Sequence, residues 1–246
     1  YSRADREPSR SDYESNINIK PEQLNDFELG WRFRKNGLRL NINTYYMLYN
    51  EQLVLTGELD DVGTPIRTNS GSSYRMGIET EASMKLSEDF LIKTNLTLSS
   101  NKNQQVLSKV DGKIFDFGKT NISFSPEIIT SNSIVYSPND NLMISFLTKY
   151  VGKQFMANTD AVNSVLDSYF VNNLNFSFNI NSNQVFDQII ITGLVNNIFD
   201  KEYVSNGYYY TYDDNWSNPG QVKTLDGAGY YPQAKRNFLL GLTVKF

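Results

Sequence analysis

The chain has 246 residues, a formal net charge of −4, 39% hydrophobic residues, and no cysteine or histidine. The absence of these two residue types excludes a disulfide framework, thiolate metal sites, cysteine nucleophiles and the commonest general base. The sequence contains no run of about 18 apolar residues that would predict a transmembrane helix, and no charged-then-apolar leader at residue 1. It also contains no basic block that would indicate nucleic-acid binding.

Apolar and polar residues alternate along the whole chain, and this pattern predicts about nine strands of roughly 10 to 14 residues, longer than usual. In chain order the segments are 26–34, 38–48, 74–86, 90–98, 122–136, 142–150, 173–180, 188–198 and 237–246. Segment 122–136 is the weakest because it contains Pro126, and segment 188–198 is apolar on both faces at first. The last segment alternates up to Phe246.

Two kinds of connection alternate between these strands. Short turns rich in Gly, Asn, Asp and Pro are predicted at 35–37, 87–89, 137–141 and near 181–184. Long loops are predicted at 56–72, 102–120, 154–167 and 200–233. In an up-and-down antiparallel meander, all short turns then lie at one end of the sheet and all long loops at the other.

This asymmetry favours an all-β fold, an antiparallel up-and-down transmembrane β-barrel, of which about nine strands are present. A soluble β-sandwich is the alternative, but its strands are usually shorter and its loops do not alternate so regularly. Aromatic residues near strand ends also suit a membrane interface. They are Tyr45, Tyr46, Tyr49, Tyr136, Tyr150, Phe155, Tyr169 and Phe170.

The barrel hypothesis assigns a direction to each face of the strands. The apolar set is expected to point outward and to be accessible: Leu40, Ile42, Leu96, Leu98, Phe176, Phe178, Leu240 and Leu242. The polar set is expected to line the interior: Asn41, Asn43, Asn95, Asn175 and Thr243. A dry core made of the apolar set would instead indicate the sandwich.

No catalytic constellation, metal site or cofactor site is predicted from the residues. The acidic runs "ELDD" (58–61) and "YDDN" (212–215) lie in predicted loops, where adjacent acids are usually solvated and less often bind Ca²⁺. Without histidine there is also no Ser/His or Asp/His pair for an enzyme, so we expect no enzymatic activity.

The loop 200–233 concentrates aromatic residues among Asn, Asp and Gly. Tyr and Trp give large, rigid contact areas suited to capturing a ligand. The candidate ligand contacts are Tyr208, Tyr209, Tyr210, Tyr212 and Trp216, for which packing within the loop is an equally open explanation. For Tyr203, Tyr230 and Tyr231, nearer the strand ends, a membrane-interface girdle is favoured.

Two stretches of the sequence resemble the TonB-dependent outer-membrane receptors. Residues 6–31, "REPSRSDYESNINIKPEQLNDFELGW", are similar to an Arg-x-Pro element, a Lys-Pro-Glu segment and a Phe-Glu-Leu-Gly box. The stretch "VNNIFDKEY" and the ending "YYPQAKRNFLLGLTVKF" are similar to the C-terminal signature of the family. The residues that carry the match are Arg6, Pro8, Lys20, Pro21, Glu22, Phe27, Glu28, Leu29, Gly30, Arg236 and Phe246.

The resemblance implies a barrel of roughly 22 strands around an N-terminal plug, with residues 1–246 as its C-terminal part and the plug absent from this chain. It implies a location in the outer membrane of a Gram-negative bacterium, surrounded by lipid. It also implies engagement of the TonB complex through the missing N-terminal part. The barrel-assembly machinery would recognise the last strand with its terminal Phe246.

The function implied is active uptake of a ferric siderophore or a similar metal chelate. An importer of glycans or peptides, working with a surface lipoprotein, is an alternative because stacked aromatics also suit a sugar ring. A passive or structural outer-membrane barrel is the alternative from a different class.

Overall fold

The computed structural model describes residues 1–60, 63–181 and 187–246 of the chain. The elements are β1 (Ser2–Arg6), α1 (Arg10–Ser15), β2 (Glu22–Lys35), β3 (Leu38–Asn50), β4 (Leu53–Leu59), β5 (Pro65–Asn69), β6 (Ser72–Lys85), β7 (Phe90–Asn103), β8 (Leu107–Val110), β9 (Lys113–Asp116), β10 (Thr120–Asn121), β11 (Ile128–Asn139), β12 (Leu142–Val151), β13 (Gln154–Phe155), a 3-10 turn (Val162–Ser164), β14 (Val165–Leu166), β15 (Tyr169–Asn181), β16 (Gln188–Asn196), β17 (Val204–Asp214), β18 (Lys223–Pro232) and β19 (Asn237–Lys245). Within these ranges, no helix is long and apolar enough to cross a membrane.

One large antiparallel sheet dominates the fold. Its strands follow the order β1-β2-β3-β6-β7-β11-β12-β15-β16-β19, and β10 pairs with the end of β7. Each long strand therefore lies beside the next long strand in the chain, which confirms the predicted up-and-down meander. Among the described residues, β1 and β19 are not paired with each other, so the barrel is not closed by this chain alone.

The predicted strands are confirmed with two differences. All nine alternating segments correspond to a long strand, but β11 begins only at Ile128, so residues 122–127 are not part of it. Pro126 lies in this excluded stretch, and it has no N–H to donate to a ladder. Strand β1 was not predicted because its sequence, SRADR, does not alternate; it pairs with β2 through the backbone.

The connections differ in their internal structure. The short turn after β2 places Asn36 and Gly37 at φ 48° and 78°, as a type I′ hairpin requires. The turn predicted near 181–184 extends outside the described residues. The long connections were predicted as loops, which was wrong in part, because each contains a small hairpin: β4–β5, β8–β9, β13–β14 and β17–β18.

The two faces of the large sheet follow the predicted pattern. Leu96, Leu98, Phe178, Leu240 and Leu242 are exposed, and none of the eight predicted outward residues is among the buried apolar residues of the described chain. On the polar face, Asn41 and Asn95 line a cavity. The apolar face is therefore accessible, as a lipid-facing surface requires, and a dry sandwich core is excluded.

The aromatic residues near strand ends divide between the two faces. Tyr46, Tyr136, Tyr150 and Phe170 share register rows with the outward apolar residues. Tyr45, Tyr49 and Tyr169 fall on the polar face because strand residues alternate, and Phe155 lies in the β13 hairpin. Tyr169 packs with Val151 and Val171 in a small inner core. Only part of the predicted set therefore faces the membrane.

Candidate functional site

Hairpin β17–β18 carries a continuous row of aromatic rings, near-parallel except at its Tyr231 end, which we call the aromatic strip: Tyr231, Tyr208, Tyr210, Tyr212 and Trp216. Ring centroids are separated by 6.3 Å from Tyr208 to Tyr210, 6.4 Å from Tyr210 to Tyr212 and 6.1 Å from Tyr212 to Trp216. Tyr231 joins the other end at 5.9 Å from Tyr208. Residues two apart in a strand share a face, so the alternation of β17 aligns Tyr208, Tyr210 and Tyr212.

Two glycines on the partner strand give the rings a flat support. Tyr208 lies opposite Gly229, and Tyr210 lies opposite Gly227. A Cβ atom at Gly229 would meet Cζ of Tyr208 at 2.3 Å, and one at Gly227 would meet Cζ of Tyr210 at 2.6 Å. The rings therefore cover bare backbone, an arrangement that protects glycines in a sheet and fixes the ring orientation.

The strip is accessible to a ligand. Tyr208 is 50% exposed, Tyr212 is 42% exposed and Trp216 is 66% exposed. Aromatic area held in one orientation loses little conformational entropy on binding. The strip can thus stack several flat or apolar ring faces of a ligand along its length.

Tyr209 does not belong to the strip, although it was predicted with the others. It lies on the opposite face of β17, where burial and the neighbouring Asp226 carboxylate raise the pKa of Tyr209 to about 12. The structure therefore brings together four of the five candidates, and it adds Tyr231, which had been expected in the girdle.

The hairpin is held by two neighbouring connections. Asp213 accepts from Nζ of Lys109 at 2.9 Å, and this contact, together with Thr224, holds the pKa of the Asp213 carboxyl below its usual value. Asp111 and Thr224 exchange two hydrogen bonds of 2.7 and 2.8 Å. These contacts join the tips of β8–β9 and β17–β18.

A second set of contacts anchors the other side. Nδ2 of Asn163 donates to Asp226 at 3.0 Å, and the Tyr230 hydroxyl donates to the carbonyl of Asn163 at 3.0 Å. The ring of Tyr203 packs against the ring of Tyr169, with centroids 4.6 Å apart, at the inner core. Tyr203 therefore packs at the inner core and Tyr230 links the hairpin to the connection at Asn163, while the girdle stays a prediction.

The predicted acidic runs have structural roles where they are described. Asp213 is paired with Lys109, and Asp214 caps its turn by accepting from the backbone N–H groups of Trp216 and Ser217. The run at 58–61 extends outside the described residues. In the part of the chain that the structure describes, no three acidic side chains are placed to hold a metal ion.

The first resemblance box folds against hairpin β4–β5. Arg6 pairs with Glu22 in the β1–β2 ladder, and Pro8 is buried just before helix α1. Asp12 in that helix is 3% exposed and contacts Arg67 of β5 at 3.4 Å. Burial alone would raise the pKa of Asp12, but hydrogen bonds from Ser9 and Arg67 leave it below its usual value.

The Lys-Pro-Glu segment continues this anchoring. Lys20 forms an ion pair with Glu51 at 2.8 Å, and Glu22 accepts from the backbone N–H of Leu53 at 2.8 Å. Pro21 lies between them, half-buried. These residues tie the chain before β2 to the connection after β3, which explains the spacing of the box without any contact to a ligand.

The other motif residues lie on the large sheet and in the turn that precedes its last strand. Glu28 and Gly30 are on the polar face of β2. The backbone N–H of Arg236 donates to Asp200 at 2.9 Å, and Nδ2 of Asn197 donates to the carbonyl of Lys201 at 2.8 Å, so the C-terminal signature builds one turn unit. Phe246, at the end of β19, is 85% exposed.

Comparison with known proteins agrees with this architecture. Residues 1–198 match the family described as TonB dependent receptor-like, beta-barrel. Among curated proteins, none matches the sequence.

Solved structures share the fold at low sequence identity. The ferric-catecholate import receptor Fiu from E. coli K12 has a TM-score of 0.62 at 18% identity, over 95% of this chain and 29% of that one. The copper transporter OprC has a TM-score of 0.68 at 16% identity, over 99% of this chain and 36% of that one. The ferric yersiniabactin uptake receptor FyuA from Yersinia pestis has a TM-score of 0.61 at 18% identity, over 91% of this chain and 30% of that one. The chain thus spans about a third of the length of these proteins.

Proposed function

The chain belongs to the TonB-dependent receptors, as part of an outer-membrane β-barrel of a Gram-negative bacterium, and from this premise we propose that it takes part in the energy-coupled import of a bulky metal chelate, such as a ferric siderophore. The family consists of receptors and transporters, not of enzymes.

The aromatic strip is the observation that carries this proposal. In barrels of this kind the long connections face the cell exterior, so hairpin β17–β18 meets the external medium first. Its four exposed rings, Tyr208, Tyr212, Trp216 and Tyr231, offer a stacking surface for the ring systems that surround a chelated metal. Similar solved structures include import receptors for ferric catecholate and ferric yersiniabactin and a transporter of copper, which supports a chelate here by analogy.

The remaining partners follow from the family. Energy would come from the TonB complex, engaged through a part of the receptor outside this chain that also contains the plug. The barrel-assembly machinery would take β19 with Phe246 as its signal. The outward apolar face would contact outer-membrane lipids.

A second candidate is import of glycans or peptides with a surface lipoprotein. One observation favours it: the strip is a long row of rings, and the nearby Lys109 is already paired with Asp213 on the opposite face of the hairpin. A neutral sugar ring needs no cation to stack on Tyr, whereas an anionic chelate gains from one.

Growth of cells that carry the full-length gene separates these functions. We expect rescue under iron starvation, lost when the energy-coupling complex is deleted. Rescue on an oligosaccharide as sole carbon source, without iron rescue, would favour the second candidate and contradict the first. Iron rescue that persists without energy coupling would indicate a passive barrel.

A further inference from the structure

The polar face of the sheet carries a row of cations close to the short-turn end. Arg34 of β2 lies directly opposite Arg39 of β3. The same row continues through Ser83 of β6 to Lys93 of β7 and then to Ser133 of β11. Arg34 and Arg39 flank the turn at Asn36, so the row is near the periplasmic rim of the wall.

The next row on this face has a similar character. It runs from Arg32 through Asn41, Glu81, Asn95 and Ser131 to Lys149. Nδ2 of Asn41 donates to Glu81 at 3.4 Å, and Nδ2 of Asn95 donates to the Ser131 hydroxyl at 2.8 Å. We call the two rows together the basic wall; they contain five cations, Arg32, Arg34, Arg39, Lys93 and Lys149, and the single carboxylate of Glu81.

Among the described residues, the cations of the basic wall outnumber the carboxylates on the same two rows by five to one. Like charges directly opposite each other across two strands are destabilising, and Arg34 faces Arg39 in this way. Among the described residues, none of the five cations forms an ion pair within 4.0 Å, and all five are exposed. The next carboxylate on this face, Glu79, is one row further from the periplasmic rim.

The basic wall also borders a cavity. A space of about 570 Å³ is lined by Arg39, Lys93 and Lys149, by the carboxylate of Glu81, and by polar side chains that include Asn41, Asn95, Ser131 and Ser133. Arg and Lys offer only donors, while amides and hydroxyls can donate as well. Three cations and several amide and hydroxyl donors therefore outnumber one carboxylate on this concave surface, which suits an oxyanion with more than one charge.

We infer that the basic wall is a binding site for multiply charged anions such as polycarboxylates, separate from the aromatic strip and close to the periplasmic end of the lumen. An anion held in the cavity at Arg39 and Lys93 would reduce the repulsion between Arg39 and Arg34 and gain charge-assisted hydrogen bonds. Its role as a second station for an imported anionic chelate rests on the proposed function; the anion site itself does not.

Binding of citrate, a tricarboxylate, to the purified full-length receptor tests the inference. Isothermal titration calorimetry at low ionic strength should detect binding to the unchanged receptor. The double variant R39Q/K93Q should bind citrate at least about tenfold more weakly, since each lost charge-assisted hydrogen bond is worth more than a neutral one. The matched control R10Q/K113Q also removes one Arg and one Lys, both exposed and distant from the cavity, and should bind like the unchanged receptor.

Three results would overturn the inference. The first is no citrate binding by the unchanged receptor. The second is an equal loss in the control, which would reflect net charge alone. The third is a lower melting temperature for R39Q/K93Q, which would mean that another part of the receptor already neutralises these cations. This assay involves no transport, so failure of growth rescue under iron starvation would leave it standing, and its own failure would leave the uptake proposal standing.

Discussion

The aromatic strip and the basic wall are built by the same period-two rule but have opposite chemistry. On β17, alternation aligns Tyr208, Tyr210 and Tyr212 over the glycines of β18, and nearby charges are paired. On β2 and β3, alternation aligns Arg32, Arg34 and Arg39 on the inner face, where no ion pair forms among the described residues. The strip suits ring stacking at the cell exterior, and the wall suits charge recognition near the periplasm.

Removing rings from the strip should have the largest effect. The double variant Y210A/W216A should weaken binding of the imported ligand by roughly 1000-fold, because truncating each aromatic hot spot of an interface often costs about 2 kcal/mol and about 1.4 kcal/mol is a factor of ten. Affinity measured by fluorescence on the purified full-length receptor checks this. Phe115 and Phe117, another ring pair 4.8 Å apart on hairpin β8–β9, give the control F115A/F117A, which should keep its affinity. Equal affinity in Y210A/W216A and the unchanged receptor would mean that the strip only packs the hairpin.

Displacing a ring without removing it should have a smaller effect. In G229A the new methyl group would overlap Tyr208 at 2.3 Å, so the ring must turn away from its stacked position. We expect ligand affinity to fall about tenfold, because a displaced Tyr208 loses its stacking contact with the ligand and such an aromatic contact is worth about 0.5–1.5 kcal/mol. In the control G30A the nearest atom would be 3.6 Å from the new Cβ, so affinity should not change. A G229A receptor with unchanged affinity would show that flatness of the strip is irrelevant.

Ionic strength should affect ligand binding at the basic wall and at the aromatic strip to different extents. Raising ionic strength from about 0.05 M to about 0.5 M shortens the screening length severalfold, so citrate binding at the wall should weaken severalfold. Stacking on the strip depends on apolar contact, so binding there should weaken much less. Calorimetric titrations at three salt concentrations, with Y210A/W216A and R39Q/K93Q as reporters for each region, measure both slopes. Equal slopes would contradict the division between the regions.

Relieving the repulsion in the wall should have the smallest effect. The substitution Arg39→Ser removes the like-charge pair with Arg34, and the ligand-free receptor should become about 0.2–1 kcal/mol more stable. The denaturant midpoint of the full-length receptor in detergent, compared with Lys113→Ser, which removes one exposed cation that forms no ion pair among the described residues, detects such a change. Destabilisation by Arg39→Ser would mean that this guanidinium has a partner in the whole receptor.

Most strands and short turns of the large sheet could be predicted from the sequence, because alternation and turn chemistry are local properties. The type I′ turn at Asn36–Gly37 fixes the register that sets Arg34 opposite Arg39, so even this pair could have been found. Strand β1 could not, since it is recruited by backbone pairing and its side chains carry no pattern. The proximity of Lys93 to Arg39 could not be predicted either, because it depends on the register between strands that are far apart in sequence.

The site was predicted less well because its local structure was misassigned. Because residues 200–233 were predicted as a loop, there was no reason to separate Tyr209 from Tyr208 and Tyr210. Had 204–214 been predicted as a strand, its alternation would have placed Tyr209 on the opposite face. Gly227 and Gly229, two residues apart in a run rich in aromatics, were the available signal. The contacts of Asn163 and Asp111 with the hairpin join different connections and left no sequence signal.

The orientation of the barrel is the claim on which both regions depend, and site-directed labelling on intact cells tests it most directly. Asn215 lies at the tip of hairpin β17–β18, and Asp140 lies in the short turn between β11 and β12; both are exposed. In full-length receptors carrying Asn215→Cys or Asp140→Cys, a membrane-impermeant maleimide should label the first on intact cells and the second only after the outer membrane is opened. Labelling of Asp140→Cys on intact cells, with Asn215→Cys protected until lysis, would reverse the topology and contradict the account.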